Sequence, residues 1–346
     1  MSHPAVLFVG SFLSAAGTHR SYCEDLTDRL EAREWRVIRT STRRGRISRL
    51  SDILRTAWTR RRDYALAHVD LFSGPAFVWG EAVCFELARL GKPFVLTLHG
   101  GNLPTFSRRW PRRTRRLLRS AARVTAPSDY LRAALAPLAR EVVVIPNAVD
   151  VAEFAHVPRS RLQPRLVWLR AFHDVYNPVM AVDVLAKIAA RHPGATLTMV
   201  GGDKGDGSLE RVRQRAAELG VTERLTIVPG VPKRDVPRYL AAGDIFLNTT
   251  NADNSPVSVL EALACGLCVV TTSVGGIPHM LHHERDAMLV PANDASAMAA
   301  AVERLLAQPA LAQQLSTSGR NLAVSADWSA VLARWEGLFE TIARAA

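Results

Sequence analysis

Cysteine is scarce in this sequence, with four residues scattered over 346 positions. A disulfide framework needs more of them at closer spacing, so a reducing compartment such as the cytosol is expected. No stretch of about 18 uncharged apolar residues occurs, which argues against a transmembrane helix. The opening residues MSHPAVLFVGSF lack the basic segment of a signal peptide, and a cytoplasmic location is therefore expected.

Metal-ligand clusters are also scarce. Cys265 and Cys268 form one CxxC pair, but neither a second pair nor a histidine cluster follows it. Zinc sites need such further ligands. We expect two small residues between a helix and a strand, and no metal.

The composition is that of a soluble globular protein, with 48% hydrophobic and 22% charged residues, and the length favours two domains. The net charge is +12, from 44 basic and 32 acidic residues. Residues 1–157 hold 25 of the basic and 14 of the acidic side chains, so most of the excess lies there. This asymmetry indicates an anionic partner for the first half.

Short apolar runs alternate with helical patterns along the whole chain. This alternation is typical of doubly wound parallel sheets, and it occurs in two successive series. The strand candidates of the first series are 6–10, 35–41, 64–71, 93–100, 123–128 and 142–150; those of the second are 164–170, 195–202, 225–230, 245–250 and 268–273. We expect two Rossmann-like α/β domains, 1–157 and 158–327, facing a central cleft.

Two segments at the domain boundaries need separate mention. The polar, proline-containing segment 151–164 is interpreted as the interdomain linker. The C-terminal segment 328–346 has helical periodicity and could pack on either half, including back on the first domain.

Ligands of open α/β sheets bind beyond the carboxyl ends of the strands. In the first half, a small-residue loop containing Gly17 follows a strand and precedes a helix, where backbone amides can bind phosphate. A plain loop would give the same pattern. His99 ends the run LTLHGG and is a candidate for a hydrogen bond to a sugar hydroxyl, although a structural role is the alternative.

In the second half, Arg170 ends an apolar strand candidate, and an arginine there is costly unless it meets an anion. A diphosphate fits, because guanidinium pairs bidentately with phosphate oxygens, and a salt bridge to a carboxylate is the alternative. Further on, Ser255 is a possible N-cap with Pro256 in the first turn of a helix. Glu261 would lie two turns into that helix and Asp253 just before it.

The segment DNSPVSVLEALACGLCVVTTSVGG, residues 253–276, resembles the E-x7-E motif of the retaining GT-B glycosyltransferases of family 4. Other landmarks of that family occur in order: the loop near Gly17, His99, PSDYL (127–131), IPNAVD (145–150), VGGDKGDG (200–207), IVPGV (227–231) and GDIFLNTT (243–250). The resemblance covers nearly the whole chain.

The resemblance implies roles for individual residues. Glu261 would hold the donor ribose, Asp253 the hydroxyls of the transferred sugar, and Arg170 the diphosphate. His99 would contact the donor sugar, which makes it, Arg170 and Asp253 the catalytic candidates. The remaining donor-binding candidates are Gly17, Asn177, Gly230, Val231, Ser255, Pro256 and Val257, with Gly230 and Val231 meeting the nucleobase.

Two positions depart from the family pattern. Asp253 is one methylene shorter than the usual glutamate. The family also places a lysine five or six residues after its arginine, where this chain has Val175 and Tyr176. His173, Tyr176 or Asn177 could substitute by hydrogen bonding, and Lys204 is a further candidate.

The densest basic segment runs from Arg108 to Arg119, interleaved with Phe106, Trp110, Leu117 and Leu118. A basic amphipathic segment with aromatics is suited to an anionic membrane surface, although a solvated arginine-rich face is the alternative. The acceptor or membrane candidates are Arg108, Arg109, Trp110, Arg112, Arg113, Arg115 and Arg116. Two smaller clusters are 43–49 and 60–62.

The expected function is that of a metal-independent, retaining hexosyltransferase without a cofactor. Its partners would be a UDP- or GDP-sugar donor, a glycan or lipid-linked acceptor, and the inner face of the plasma membrane. A catalytically weak or dead GT-B scaffold, or another GT-B activity such as a sugar-nucleotide epimerase, is the alternative. Nucleic acid is not expected, because the arginines do not fall on a recognisable nucleic-acid-binding module.

Overall fold

The computed structural model describes residues 3–14, 21–159 and 161–345. The chain forms two compact units, and each is described by itself. Unit 1 comprises residues 1–147 and 329–346, and unit 2 comprises residues 148–328.

Unit 1 is a parallel six-stranded sheet in the order β2-β1-β3-β4-β5-β6. Its elements are β1 (Val6–Val9), α1 (Tyr22–Glu31), β2 (Val37–Thr40), α2 (Arg46–Thr59), β3 (Leu66–Leu71), α3 (Pro75–Arg89), β4 (Phe94–Leu98), α4 (Leu103–Arg109), α5 (Pro111–Ser120), β5 (Arg123–Ala126), α6 (Asp129–Leu135) and β6 (Val142–Val144). Strands β1 and β4 are buried along their whole length, as expected for a sheet covered on both faces.

The C-terminal helix, named α14 (Trp328–Arg344), packs on unit 1. Trp335 and Phe339 are fully buried, and the Phe339 ring meets that of Phe8 in β1 edge-on, with 5.8 Å between centroids. The Trp335 Nε1 donates to the Tyr22 hydroxyl at 3.2 Å. These aromatic contacts bury large apolar areas and fix the helix on the first sheet.

Unit 2 is a second parallel six-stranded sheet, in the order β12-β11-β10-β7-β8-β9. Its elements are β7 (Arg165–Leu169), α7 (Pro178–Ala189), β8 (Thr196–Gly201), α8 (Ser208–Glu218), β9 (Leu225–Pro229), α9 (Val236–Ala241), β10 (Ile245–Asn248), α10 (Val257–Ala264), β11 (Cys268–Thr272), α11 (Ile277–Met280), β12 (Met288–Val290), α12 (Ala295–Ala307) and α13 (Pro309–Ser325). The expected fold class, two doubly wound parallel-sheet α/β domains, is confirmed.

Each sheet has one point where the direction of strand addition reverses. In unit 1 it lies between β1 and β3, and in unit 2 between β7 and β10. The loops that leave neighbouring strands there diverge to opposite faces and open a crevice, where ligands of such sheets bind.

The segment expected to be a linker instead packs on unit 2. Arg159 is 4% exposed and its guanidinium donates to Asp244 at 3.2 Å and to the Gly243 carbonyl at 2.8 Å. The Val157 amide donates to the Cys265 carbonyl at 3.3 Å. Because these bonds tie residues 157–159 to the second sheet, the boundary between units falls at 147/148, ten residues before the predicted one.

Strand candidates and strands correspond at β1 to β11, but the sequence interpretation missed β12. That strand has three residues, too few to show a period. Cys265 directly follows α10 and Cys268 begins β11, so the pair lies between a helix and a strand as predicted, and both residues are buried.

Candidate functional site

Arg170 lies directly after β7, at the reversal point of the second sheet. The Arg170 amide donates to the Val200 carbonyl at 3.1 Å. A Cβ on Gly201 would collide with the Arg170 carbonyl oxygen. Only glycine at position 201 lets β8 approach the backbone of Arg170 this closely. The guanidinium is mostly buried over the Tyr176 ring, 4.6 Å from its centroid. Burial lowers the pKa of Arg170, and the nearby Tyr176 phenol and Glu261 carboxylate act in the opposite direction.

Asp253 lies in the loop after β10, the strand next to β7. Its carboxylate forms an ion pair with Arg170, which is the salt bridge considered above as the alternative for that arginine. This ion pair does not occupy every N–H donor of the Arg170 guanidinium, because Nε has no hydrogen-bond partner among the described residues. A buried guanidinium with an open donor favours a further acceptor at this place.

The glycine pair of the 253–276 motif holds the Asp253 loop in position. The Gly276 amide donates to the Asp253 carbonyl at 3.0 Å. Gly275 has φ +54°, and a Cβ there would overlap the same carbonyl oxygen. A Cβ on Gly276 would overlap the Asn254 carbonyl. The backbone around Asp253 can therefore take this path only beside two glycines.

Hydrogen bonds also fix the loop after β10 to the loop after β7. The Thr249 hydroxyl donates to the Tyr176 carbonyl at 2.8 Å and accepts from Trp168 Nε1 at 3.0 Å. The Asn251 amide donates to the Val175 carbonyl at 2.8 Å. Arg170 and Asp253 consequently lie on two mutually braced loops.

Helix α10 begins at Val257, and Pro256 is its N-cap. The prediction of Ser255 as N-cap is wrong: no side chain caps the helix, and the Ser255 hydroxyl instead points to Met280 Sδ at 3.9 Å. Proline at the N-cap position has no side-chain acceptor to offer. Glu261, in the second turn, is buried and close enough to Arg170 to raise its pKa.

Tyr176 occupies one of the positions where the family has lysine, and it meets Arg170 through its ring. Asn177 adopts a left-handed conformation with φ 45°, and its side-chain amide donates to Asn293 at 3.0 Å. His173 Nδ1 accepts from the Val175 amide at 3.1 Å, and Lys204 is exposed. Among these four residues, only Tyr176 contacts Arg170 directly in the described structure.

Gly230 follows β9 with φ +22°, and its backbone lies close to Gly202, which follows β8. The two loops after β8 and β9 therefore adjoin. Gly230 and Val231 stay predicted contacts of the nucleobase.

In unit 1, His99 follows β4 and its Nε2 lies 2.8 Å from Asp70 Oδ1 on β3. The His99 ring stacks on Phe72 with 5.0 Å between centroids. Burial raises the pKa of Asp70, but the charge and hydrogen bond of His99 outweigh it and the net pKa is lowered. Asp70 thus orients His99. The sequence interpretation missed it, although an acidic residue near the carboxyl end of a buried strand was a usable signal.

Behind Asp70 lie Cys23 and His68, with candidate metal-ligand atoms of the three residues within 4.8 Å of one another. Burial lowers the pKa of His68 to about 4, and its Nε2 is hydrogen-bonded to the Thr97 hydroxyl at 2.8 Å. Burial also raises the pKa of the Cys23 thiol well above its usual value. A neutral, buried thiol is a poor metal ligand, so these groups are best explained as a packed polar cluster.

The basic segment 108–119 spans the end of α4 and most of α5. Exposed members are Arg108, Arg109, Trp110, Arg112, Arg115, Arg116 and Arg119. Arg113 departs from the prediction, because it forms a bidentate salt bridge with Glu81 on α3. Leu117 and Leu118 also face inward, into the core, and Phe106 packs against Phe77. Trp110 is therefore the one exposed aromatic of the segment.

The predicted phosphate loop at Gly17 lies outside the described residues. In the described parts of the chain, no helix is both long and apolar enough to cross a membrane.

Two parallel α/β units with an arginine and carboxylates at the reversal point of the second sheet define a GT-B-type protein. Sucrose-phosphate synthase from Thermosynechococcus elongatus has the same fold, with a TM-score of 0.82 at 20% identity over 99% of this chain and 100% of that one. Anabaena Alr3699/HepE, solved in complex with UDP and glucose, superposes with a TM-score of 0.77 at 17% identity over 98% and 100% of the two chains.

Residues 13–153 match the family model "Glycosyltransferase Family 4", and residues 163–308 match the model "Glycosyl transferases group 1". The chain belongs to the family 4 glycosyltransferases.

Its relatives include D-inositol 3-phosphate glycosyltransferase of Mycobacterium ulcerans, 33% identical over 41% of this chain. Another is the GDP-mannose-dependent alpha-(1-6)-phosphatidylinositol monomannoside mannosyltransferase of Mycolicibacterium smegmatis, 28% identical over 61% of this chain. The matches span 31% and 59% of the length of these two relatives.

Proposed function

We propose that this chain transfers a sugar from a UDP- or GDP-sugar to a hydroxyl of a glycan or lipid-linked acceptor, with retention at the anomeric carbon. The observation that carries the proposal is the meeting of Arg170 with Asp253 and Glu261 at the reversal point of the second sheet. A buried guanidinium between two acidic groups matches a ligand with a diphosphate at one end and hydroxyls at the other.

Each of these residues has a task in that proposal. Arg170 binds the diphosphate and stabilises the charge that develops on the leaving group, without a metal ion. Glu261 accepts hydrogen bonds from the ribose and Asp253 from the transferred sugar. In the bound state Arg170 exchanges part of its pairing with Asp253 for phosphate oxygens, which frees the carboxylate for the sugar. Tyr176 holds the guanidinium in position by a cation–π contact.

The acceptor's side of the reaction is assigned to unit 1. There Asp70 fixes the His99 ring for a hydrogen bond to the donor sugar. The relatives' names, which include an inositol phosphate and a phosphatidylinositol mannoside, support acceptors of the same broad kind.

A thermal-shift titration with UDP, GDP and ADP tests the donor site. At a nucleotide concentration 100 times Kd, binding stabilises the protein by about 2.7 kcal/mol. For a unit of this size the melting temperature should rise by roughly 5 to 11 °C. Glu261→Ala should lose the shift, and Glu210→Ala, at an exposed position of α8, should keep it. No shift with any nucleotide would refute the proposal.

Activity is then measured with sugars linked to whichever of UDP and GDP binds, in the absence and presence of a chelator. Transfer with an unchanged anomeric configuration supports the proposal. Nucleotide binding without transfer to any glycan or lipid-linked acceptor would favour a scaffold protein, and conversion of the donor sugar itself would favour an epimerase.

We also propose that unit 1 associates peripherally with an anionic membrane surface on the cytoplasmic side. Support comes from the exposed Trp110 and from the four exposed arginines of α5, Arg112, Arg115, Arg116 and Arg119, none of which makes an ion pair in the described structure. Val78 and Phe85, exposed on the adjoining helix α3, add apolar area. Basic and apolar side chains together suit an interfacial site.

Co-sedimentation with vesicles tests the membrane association. The wild type should bind vesicles that contain anionic lipid and not neutral ones. The α5 variant, Arg112→Gln, Arg115→Gln and Arg116→Gln, should lose most of this binding, since each basic residue near the surface contributes about 1 kcal/mol. The surface control variant, Arg55→Gln, Arg62→Gln and Arg334→Gln, removes the same charge at exposed positions outside α3 and α5 and should lose less. Equal binding to neutral vesicles contradicts the idea.

A further inference from the structure

The first turn of α1 is fixed in place by a capping box. Ser21 is the N-cap, and its hydroxyl accepts from the Glu24 amide at 3.2 Å. The Glu24 carboxylate accepts from the Ser21 amide at 2.8 Å and from the Ser14 amide at 3.0 Å. The Ser21 hydroxyl also donates to the carbonyl of Ser11, in the loop after β1, at 2.6 Å. Because these bonds determine where the helix begins, they also set the position of Cys23 in its first turn.

Cys23 is buried between the end of β1 and Asp70 in β3. It is 2% exposed, and a Cβ on Gly10 would come within 2.6 Å of its Sγ and within 2.7 Å of Asp70 Oδ2. Only glycine at position 10 leaves room for these two side chains to meet. The thiol donates a hydrogen bond to the Asp70 carboxylate. Burial raises the pKa of the thiol well above its usual value, so the donor keeps its proton.

Asp70 also accepts from His99, which follows β4, so its carboxylate has donors from two different elements. A third neighbour, His68, makes no such bond. Its Nδ1 lies 3.9 Å from Asp70 Oδ1, too far for a hydrogen bond, and has no other partner among the described residues. Burial lowers the pKa of His68 to about 4, so this ring is neutral at physiological pH. The second hold on Asp70 is therefore the thiol of Cys23.

The ionised Asp70 determines the tautomer of His99. A carboxylate only accepts hydrogen bonds, so the Nε2 that lies 2.8 Å from Asp70 Oδ1 carries a proton. The neutral imidazole then has its free lone pair on Nδ1. This atom has no hydrogen-bond partner within the described ranges, and the His99 side chain is 16% exposed. His99 therefore presents an acceptor to its surroundings, and a hydroxyl is a matching donor.

We propose that Cys23 is a positioning residue for the transfer reaction. Its thiol holds the Asp70 carboxylate in the orientation that binds His99 Nε2–H, which keeps His99 Nδ1 as the acceptor for a hydroxyl of the donor sugar. The side-chain torsion of aspartate next to the carboxylate is broad, and a second donor restricts it. This inference rests on the proposed transferase function, in which His99 contacts the donor sugar.

The spectroscopic test reads the tautomer of His99 from imidazole ¹⁵N chemical shifts of the full chain, with the signal assigned by its loss in His99→Gln. The wild type should show the Nε2–H tautomer. Cys23→Ala should show a mixture of both tautomers, whereas Cys23→Ser, whose hydroxyl also donates, should keep the Nε2–H form. Cys84→Ala is the matched control, because Cys84 is an equally buried cysteine of unit 1 in α3, and it should behave as the wild type.

The second readout is kcat, measured as release of UDP from UDP-glucose or of GDP from GDP-mannose in the transfer assay. Cys23→Ala should lower kcat about fivefold, as expected for the loss of one hydrogen bond, and Cys23→Ser should stay within about twofold of the wild type. Cys84→Ala should have the wild-type kcat. Affinity for UDP or GDP, which reports on unit 2, should not change in any of the three variants, and circular dichroism verifies their folding.

The inference is overturned if wild-type His99 is not the Nε2–H tautomer, or if Cys23→Ala leaves either the tautomer or kcat unchanged. It is also overturned if Cys23→Ser is as impaired as Cys23→Ala, or if nucleotide affinity falls in parallel with kcat, since both results indicate a purely structural role. The NMR measurement needs no substrate. A failure of the proposed function, seen as absence of transfer by the wild type, is therefore detected separately.

Discussion

Gly275→Ala is the substitution that most sharply perturbs the geometry around Asp253. Gly275 has φ +54°, in the left-handed region where an L-residue costs about 1–2 kcal/mol. The new Cβ would also overlap the Asp253 carbonyl oxygen, and overpacking of this kind costs about 1–3 kcal/mol. Together we expect a loss of about 2–5 kcal/mol in unfolding free energy, or roughly 4 to 20 °C in melting temperature.

Relief of the overlap should also displace Asp253 and weaken donor binding at temperatures where the variant is folded. Differential scanning calorimetry and nucleotide titration measure the two effects. Gly337→Ala is the matched control, because Gly337 lies in α14 with no atom within 4 Å of the new Cβ. It should be neutral or stabilising by up to about 1 kcal/mol. If Gly275→Ala melts and binds nucleotide like the wild type, the reasoning about the glycine pair is refuted.

Three further predictions concern single side chains. Tyr176→Phe should keep nucleotide affinity within about twofold, whereas Tyr176→Ala should weaken it about 2- to 30-fold, because only the latter loses the cation–π contact; titration calorimetry decides, and equal affinities contradict the stacking role. His68 has its pKa lowered to about 4 by burial, so the unfolded chain takes up a proton first as the pH falls. Stability present at pH 7 should therefore be lost between about pH 6.5 and 4, by roughly 3 kcal/mol. In His68→Gln the unfolding free energy, measured by urea unfolding, should depend less on pH over this range. A pH dependence equal to that of the wild type would contradict the prediction. Arg159→Met should cost about 3–5 kcal/mol, because it removes the buried charge partner of Asp244 and also the donor to the buried Gly243 and Cys265 carbonyls. Arg165→Met removes a half-exposed partner of the same carboxylate and should cost about 1 kcal/mol or less; equal losses in urea unfolding would contradict the difference.

The fold could be predicted because it depends on local patterns. Buried parallel strands such as β1 and β8 are short apolar runs, and each is followed by a turn and a helix of ordinary length. Segment 151–164 was misassigned for a different reason. Its polar composition includes Arg159, and whether a buried arginine finds Asp244 and free carbonyls depends on residues some 85 positions away.

The candidate site divides in the same way. Spacing along one helix puts Glu261 in the second turn of α10, and the sequence shows this. The contact between Arg170 and Asp253 joins loops from two strands that are neighbours only through the strand order of the sheet. The contact of Tyr176 with Arg170 and the salt bridge of Arg113 with Glu81 likewise depend on tertiary packing. Sequence periodicity does not predict such contacts.

The central claim is that Arg170 binds a diphosphate in unit 2, and a comparison of nucleotide with nucleoside tests it most directly. Titration calorimetry should show UDP binding at least tenfold more tightly than uridine, or GDP than guanosine. In Arg170→Gln, checked for folding by circular dichroism, this preference for the diphosphate should nearly disappear while nucleoside binding stays the same. An undiminished preference in Arg170→Gln would contradict the account.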